Sequence, residues 1–133
     1  MAANLDAEWE KGRELLSPSL CAQLARGCEV TALDYRRALA RIPLLNEGLE
    51  EIFARCDALV TPATAGTAPR GLESTDDPSF CTLWTLCGMP AISLPLMQGG
   101  NGLPLGVQLV GPRGSDARLL RTARWLISRV ANN

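Results

Sequence analysis

The chain has 133 residues, of which 47% are hydrophobic and 20% are charged, and its formal net charge is -1. This length suits one domain or part of one, and the apolar fraction supports a core and excludes an intrinsically disordered chain. A charge so near zero provides no overall field for nucleic acid or a membrane, and no apolar run approaches the roughly 18 residues of a membrane span. No secretion signal is evident at the start, so we expect a cytoplasmic protein without a membrane or nucleic-acid partner.

The inventory of reactive residues limits the chemistry further. The chain contains no histidine, which removes histidine-based catalytic triads and most zinc sites, and we expect no cofactor and no metal. An odd number of widely spaced cysteines without a C-x-x-C pair argues against a disulfide framework and indicates reduced, buried thiols. The five cysteines are Cys21, Cys28, Cys56, Cys81 and Cys87.

The N-terminal part has helical signals. A weakly amphipathic stretch leads to Ser17-Pro18, which predicts a helix start with serine as the N-cap and proline at the first helical position. Gly27 is the expected end of that helix. Thr31 and Asp34 form a variant of the capping box at the start of a long helix. Because Pro43 interrupts the pattern, we expect a kink or two segments there.

The middle of the chain changes character. Residues 58–60 predict a short strand that ends at Thr61-Pro62, and residues 63–79, rich in glycine, proline and small polar residues, predict a loop. A loop of this length is usually a lid, a binding loop or mobile, and a plain surface excursion is an equal alternative. Residues 80–87 predict a short helix.

The segment from Gly88 to Pro112 predicts a β-hairpin, because large aliphatic residues alternate with small or polar ones on both sides of a glycine-rich turn. The turn is too long for a two-residue type, which favours a bulged or four- to five-residue loop. One face must be buried, and the small face, with Gly106, allows another layer to approach closely. The aliphatic residues are Ile92, Leu94, Leu96, Leu103, Leu105, Val107 and Leu109.

A last helix is predicted from Ser115, with an apolar face that includes Leu119 and Ala123. Arg118, Arg121 and Arg124 lie along another face of it. They are compatible with a phosphate or RNA contact, but without interleaved aromatic residues we favour a solvated face.

These elements predict an α/β fold: a mixed sheet with a β-hairpin and flanking helices. We treat residues 1–133 as a single segment, helical over 1–56, with the strand, loop, short helix, hairpin and last helix over 57–133. The first strand lies too far from the hairpin for a tight turn, so a crossover connection is expected. Three strands leave an unpaired edge and an apolar face, and the isolated chain should bind a partner chain, self-associate or be poorly stable.

Three segments resemble the C-terminal part of the amidase signature family. They are the G-x-P-A-I-S-x-P strand with its turn and L-P-x-G-x-Q-L-V-G strand (Gly88 to Gly111), a D-x-L-x-T-P strand (Cys56 to Pro62) and a closing helix (Ser115 to Leu120). The resemblance covers roughly Leu15 to Val130 and implies that the chain is an incomplete part of a larger fold. It departs at Thr85, where the family often has asparagine.

Enzymes of that family hydrolyse or transfer carboxylic amides with two serines and a lysine, which lie upstream of the matched region. The lysine acts as a base and must be neutral. Here the single lysine, Lys11, has Glu8, Glu10 and Glu14 as neighbours, which favour the charged form. The resemblance therefore implies no catalytic residue in this chain, which would supply scaffold and part of the substrate pocket and be inactive alone.

By the same resemblance the predicted short helix borders the substrate pocket, so Cys81, Trp84 and Thr85 are candidate substrate-binding residues. Plain core packing is the alternative, especially for Trp84. The implied partners are a small-molecule amide and a missing N-terminal catalytic part or a partner chain. A non-catalytic interaction or scaffold module, and one half of a split amidase or amidotransferase, are the alternative functions.

Overall fold

A computed structural model describes residues 2–71, 74 and 77–130. The chain divides into two compact units, one that reaches to Arg41 and one that begins at Ile42. None of the described helices is long and apolar enough to cross a membrane.

The first unit is helical. It contains α1 (Asp6–Gly12), flanked by short 3₁₀ turns, then α2 (Pro18–Glu29) and α3 (Ala32–Leu39). Its only buried residue among those described is Leu24.

The predicted helix caps of this unit are confirmed, and one predicted helix end is wrong. The hydroxyl oxygen of Ser17 accepts a hydrogen bond from the Leu20 N–H at 3.3 Å, and that of Thr31 accepts one from the Asp34 N–H at 3.1 Å. Helix α2 continues past Gly27, where a Cβ atom would lie 3.1 Å from the Cβ of Ala2. The glycine thus permits close packing instead of ending the helix.

The second unit contains a sheet and helices on both of its faces. Its elements are α4 (Ile42–Phe53), β1 (Leu59–Pro62), α5 (Ser79–Cys87), β2 (Ala91–Gln98), β3 (Pro104–Val110) and α6 (Asp116–Val130). The long helix predicted around Pro43 is divided in two, as expected, because α3 ends at Leu39 and α4 begins at Ile42. Proline then falls in the first turn of α4, where its missing N–H removes no helical hydrogen bond.

The α/β class, the hairpin and the flanking helices are confirmed. The strand order is β1-β3-β2, with Val110 of β3 paired to Leu59 on one side and Ala91 on the other. Strands β1 and β2 run in the same direction, so the connection between them is a crossover, as predicted. Because β3 lies between them, both described strand pairs are antiparallel, whereas the sequence predicted a mixed sheet.

The hairpin turn is the longer type that the sequence favoured. Five residues, 99–103, connect the strands, and the Gly99 N–H donates to the carbonyl of Leu103 at 2.9 Å. Gly102 adopts a positive φ of 79°, which suits glycine. The register shifts between Leu94 and Met97, around Pro95, which has no N–H to donate to a ladder.

Each face of the sheet has its own hydrophobic cluster. The α6 cluster consists of Leu94, Leu109, Leu119 and Ala123. The α4–α5 cluster consists of Leu49, Phe53, Cys87, Met89 and Val110. The predicted aliphatic face of the hairpin is therefore buried against α6 near its middle. Leu103 departs from that prediction: it lies in the turn and is 41% exposed.

All five cysteines are free, as predicted. The expectation that they are buried is correct for Cys87 and wrong for Cys28 and Cys81, which are exposed. Cys28 lies in the last turn of α2, in the unit with a single buried described residue, and Cys81 lies in the first turns of α5.

Candidate functional site

The face of the sheet that meets α5 changes from apolar to polar along β3. At Val110, the residues paired across the three strands are apolar. Two residues earlier on β3, Gln108 is paired with Thr61 of β1 and Ser93 of β2, and all three are polar. Alternate residues of a strand lie on the same face, so this polar row faces the same way as Val110. Gln108 is only 4% exposed and therefore needs internal hydrogen-bond partners.

Both polar groups of the Gln108 side chain are hydrogen-bonded. Its Nε2 donates to the hydroxyl of Thr61 at 3.3 Å and to the main-chain carbonyl of Phe80 at 3.0 Å. Its Oε1 accepts from the thiol of Cys81, with the sulfur 3.5 Å away. One side chain on the central strand thus connects β1 with the first turn of α5.

The loop between β1 and α5 is attached to the sheet and to the hairpin turn. The N–H of Ala63 donates to the carbonyl of Gly106 at 3.0 Å, and the carbonyl of Ala63 accepts from the Cys81 thiol at 3.6 Å. Further along, the amide nitrogen of Asn101 donates to the hydroxyl of Thr67 at 2.9 Å. Residues 72, 73, 75 and 76 of this predicted loop lie outside the described residues.

Gly106 makes the close approach of the loop possible. A Cβ atom there would lie 2.5 Å from the hydroxyl of Ser93 and 2.9 Å from the Cβ of Ala63. This confirms the prediction that the small face of the hairpin admits another layer. Beside it is a cleft of about 370 Å³, whose described lining residues are uncharged. They are Thr64, Gly66, Ala68, Pro69, Gly71, Ser74, Pro104 and Gly106.

The three sequence-predicted site residues lie together on α5 in different surroundings. Cys81 and Thr85 are one turn apart and exposed, and the Cys81 thiol points to Gln108 and to the Ala63 carbonyl. Trp84 is half-buried and packs against the α4–α5 cluster. This packing is compatible with the core alternative for Trp84, and its role in substrate binding stays a prediction.

The two ends of α5 are held by different interactions. Its last turn contains Cys87, which is 2% exposed, and it ends at Gly88 with a φ of 67° while the Met89 N–H donates to the Trp84 carbonyl at 2.9 Å. Gly88 thus ends the helix in the left-handed backbone conformation that is common at helix C-termini, and the burial of Cys87 supports this end. The first turns of α5 make the polar contacts with Gln108.

Sequence reasoning placed Gln108 on the small face of the hairpin and did not single it out. The signal was present, because a glutamine between valine and leucine in an alternating strand requires a partner once that face is covered. The partners themselves, Phe80 and Thr61, lie 28 and 47 positions away along the chain, so the sequence pattern around Gln108 does not identify them.

Two other features bear on reactive chemistry. Lys11, the single lysine, is exposed in α1. The described part of the chain contains no group of three or more histidine, cysteine or acidic residues arranged to hold a metal ion.

Comparison with known proteins identifies the family. The family model named Amidase matches residues 7–120. The chain is 39% identical over 106 residues to the A subunit of the glutamyl-tRNA(Gln) amidotransferase of Symbiobacterium thermophilum, covering 74% of this chain and 21% of that protein. It is 37% identical over 132 residues to the fatty acid amide hydrolase of Medicago truncatula, covering 90% of this chain and 22% of that protein.

Solved structures agree. A crystal structure of an amidase superposes with a TM-score of 0.80 and 28% identity, over 96% of this chain and 32% of that one. The A subunit of the glutamyl-tRNA(Gln) amidotransferase of Thermotoga maritima superposes with a TM-score of 0.57 and 25% identity, over 87% of this chain and 28% of that one. The chain thus spans about a fifth of the length of the curated relatives it matches. On the strength of the match over residues 7–120, the chain belongs to the amidase family of amidase signature proteins.

Proposed function

We propose that this chain supplies scaffold and one wall of the substrate pocket of an amidase signature enzyme that hydrolyses carboxylic amides, and that it supplies no catalytic residue. The observation that carries the proposal is the family match over residues 7–120, a region whose single lysine, Lys11, is exposed. A lysine that acts as a neutral base needs burial away from carboxylates. The serines and the lysine of the reaction would come from elsewhere, in a longer chain or in a partner chain.

The proposed pocket wall is α5 together with the start of the loop. Cys81 and Thr85 are exposed polar residues one helical turn apart, while Trp84 anchors the helix in the α4–α5 cluster. A wall needs this combination, because a rigid support fixes the positions of the groups that a substrate would contact.

The described lining of the neighbouring cleft suits an amide ligand. Its described lining of threonine, serine, glycine, alanine and proline offers hydroxyl and main-chain groups, and none of these described residues is charged. Groups of this kind can orient a carboxamide, which both donates and accepts hydrogen bonds. The names of two relatives, an amide hydrolase and a subunit of an amidotransferase, likewise refer to amide chemistry.

A serine-reactive fluorophosphonate probe tests the proposal. Cell extract would be labelled and immunoprecipitated with an antibody against α6, and the purified 133-residue chain would be labelled in parallel and assayed for ammonia release from simple primary amides. We expect the purified chain to remain unlabelled and inactive. The label should appear on a species that carries the α6 epitope and is larger than 14.2 kDa, or on a chain that copurifies with it.

Two results would contradict the proposal. Labelling and turnover by the purified chain itself would place a nucleophile within these residues, and the variant Lys11→Ala would then show whether Lys11 is its base. A 14.2 kDa cellular species with no labelled partner would favour the non-catalytic scaffold module instead.

A further inference from the structure

Gln108 is the one buried side chain among those described that joins the proposed pocket wall to the sheet by hydrogen bonds on both its donor and acceptor sides. Its Nε2 contacts Thr61 and Phe80, and its Oε1 contacts Cys81. Two of these three partners belong to the first turns of α5. Because Gln108 is only 4% exposed, bulk water does not replace a lost hydrogen-bond partner. Each of its hydrogen bonds therefore requires a protein group at a particular position and orientation.

Helix α5 has no other described hydrogen bond from its first turns to a β-strand. Its N-cap residue, Pro78, makes no side-chain capping bond, and the bond from the Ser79 N–H to the side chain of Asp77 is local. The Cys81 thiol also contacts the Ala63 carbonyl, which belongs to the loop. The last turn of α5 is fixed independently, by the burial of Cys87 and the contacts of Trp84.

We propose that Gln108 is a positioning residue of the substrate-binding wall: it sets the position of the first turns of α5, and thereby of Cys81 and Thr85, through the Phe80 carbonyl and the Cys81 thiol. The proposal rests on the proposed function for the identity of the wall as part of a substrate pocket. Gln108 itself is buried under α5 and is not assigned a contact with substrate.

The variant Gln108→Met tests this role, because methionine has nearly the same shape and lacks both the donor and the acceptor. Gln98→Met is the matched control: Gln98 donates a single hydrogen bond to the Gly102 carbonyl at 2.8 Å and is exposed at the hairpin turn. Thr61→Val is a milder second variant that removes one partner of Gln108 from β1 without changing its shape. It keeps the proposal testable if Gln108→Met does not fold.

The readout is the rate at which each cysteine of the 133-residue chain is alkylated by iodoacetamide, measured peptide by peptide with mass spectrometry. Cys81 reports the first turns of α5. Cys28, exposed in the other unit, is the internal reference, and Cys87, which is 2% exposed, reports general unfolding.

We expect Gln108→Met to raise the Cys81 rate relative to Cys28 by about threefold or more, the effect of losing roughly one hydrogen bond, with Cys87 unchanged. Thr61→Val should raise it less, and Gln98→Met should leave it unchanged. An unchanged Cys81 rate, or equal increases at Cys81 and Cys87, would overturn the positioning role, because the first shows no effect on α5 and the second shows general destabilisation.

Kinetics of an amidase that contains this segment separate the two proposals. If both are correct, Gln108→Met raises KM several-fold while kcat changes little, because the wall contacts the substrate away from the reacting bond. A changed Cys81 rate with unchanged KM would contradict the pocket wall and leave the positioning of α5 intact. A fall in kcat at constant KM would overturn the assignment of Gln108 to substrate positioning.

Discussion

The two faces of the sheet are built from the same three strands, but they are covered by different kinds of contact. Under α6, the residues that meet the helix are aliphatic, with Leu94 and Leu109 buried against Leu119 and Ala123. Under α4 and α5, the contact begins as an apolar cluster around Val110 and becomes a hydrogen-bonded row at Gln108.

The two faces therefore contribute differently: one mainly to the stability of the fold, the other to the position of a helix. Burial of aliphatic area is non-directional, so the α6 face contributes free energy with little demand on the orientation of the helix. Hydrogen bonds from a buried amide require particular partners at particular distances, so the α5 face fixes where a helix lies. The candidate substrate-binding residues are on the helix that is placed in this directional way.

The most destabilising substitution should be one on the α6 face. We predict that Leu109→Ala lowers the free energy of unfolding by about 2–5 kcal/mol, because it removes a fully buried side chain and leaves a cavity. Leu120→Ala is the control, since Leu120 is on α6 but is 54% exposed. Urea unfolding followed by circular dichroism measures both. Equal losses in the two variants would show that α6 does not cover this face as described.

A smaller effect is expected where the loop approaches the polar row. Gly106→Ala should destabilise the chain by about 1–3 kcal/mol, because the new methyl group would overlap the Ser93 hydroxyl and the Ala63 side chain. Gly48→Ala is the matched control. Gly48 is in α4, and apart from its chain neighbours and the backbone of its own helix no described atom lies within 4 Å of the position that a methyl group would take there. Alanine at this position should therefore stabilise the helix by about 0.5–1 kcal/mol.

Thermal unfolding of these two glycine variants gives the comparison directly. Opposite shifts in Tm are expected. A neutral Gly106→Ala variant would mean that the loop start can move away from β3 at no cost, and it would weaken the case that the wall is held rigidly.

The smallest effect is expected at the rim of the α6 face. The guanidinium of Arg118 lies 3.8 Å from the carboxylate of Asp57, and their side chains are 42% and 78% exposed. Exposed pairs of this kind contribute little, so Asp57→Asn should change the free energy of unfolding by less than about 1 kcal/mol. The measurement is urea unfolding at low and high salt. A loss above that limit that disappears at high salt would show that this rim contact matters more than its exposure suggests.

Local features were predictable because their causes are close together in the chain. The caps at Ser17 and Thr31 need partners only three residues away, and the hairpin follows from alternation around a glycine-rich turn. The short motifs between Gly88 and Gly111 were also enough to indicate the family. The end of α2 was misjudged at Gly27 because the reason for that glycine is a neighbour on another element, Ala2.

The candidate site was only partly predictable. The sequence placed Cys81, Trp84 and Thr85 on one short helix, and their role as substrate-binding residues stays a prediction. It did not separate Trp84, which packs into a cluster, from Cys81 and Thr85, which are exposed. Helical periodicity in a short, predominantly apolar segment does not show which side faces the sheet.

The α/β class, the order of the elements, the length of the hairpin turn and the family could be inferred from the sequence alone. These depend on periodicity, capping and short motifs, which act within a few residues. By contrast, the position of β3 between β1 and β2 and the contacts of Gln108 with Thr61 and the first turn of α5 became apparent only in the folded chain. A buried amide finds its partners among groups that the fold brings together, so its role becomes visible only when the strands are paired and the helix is in place.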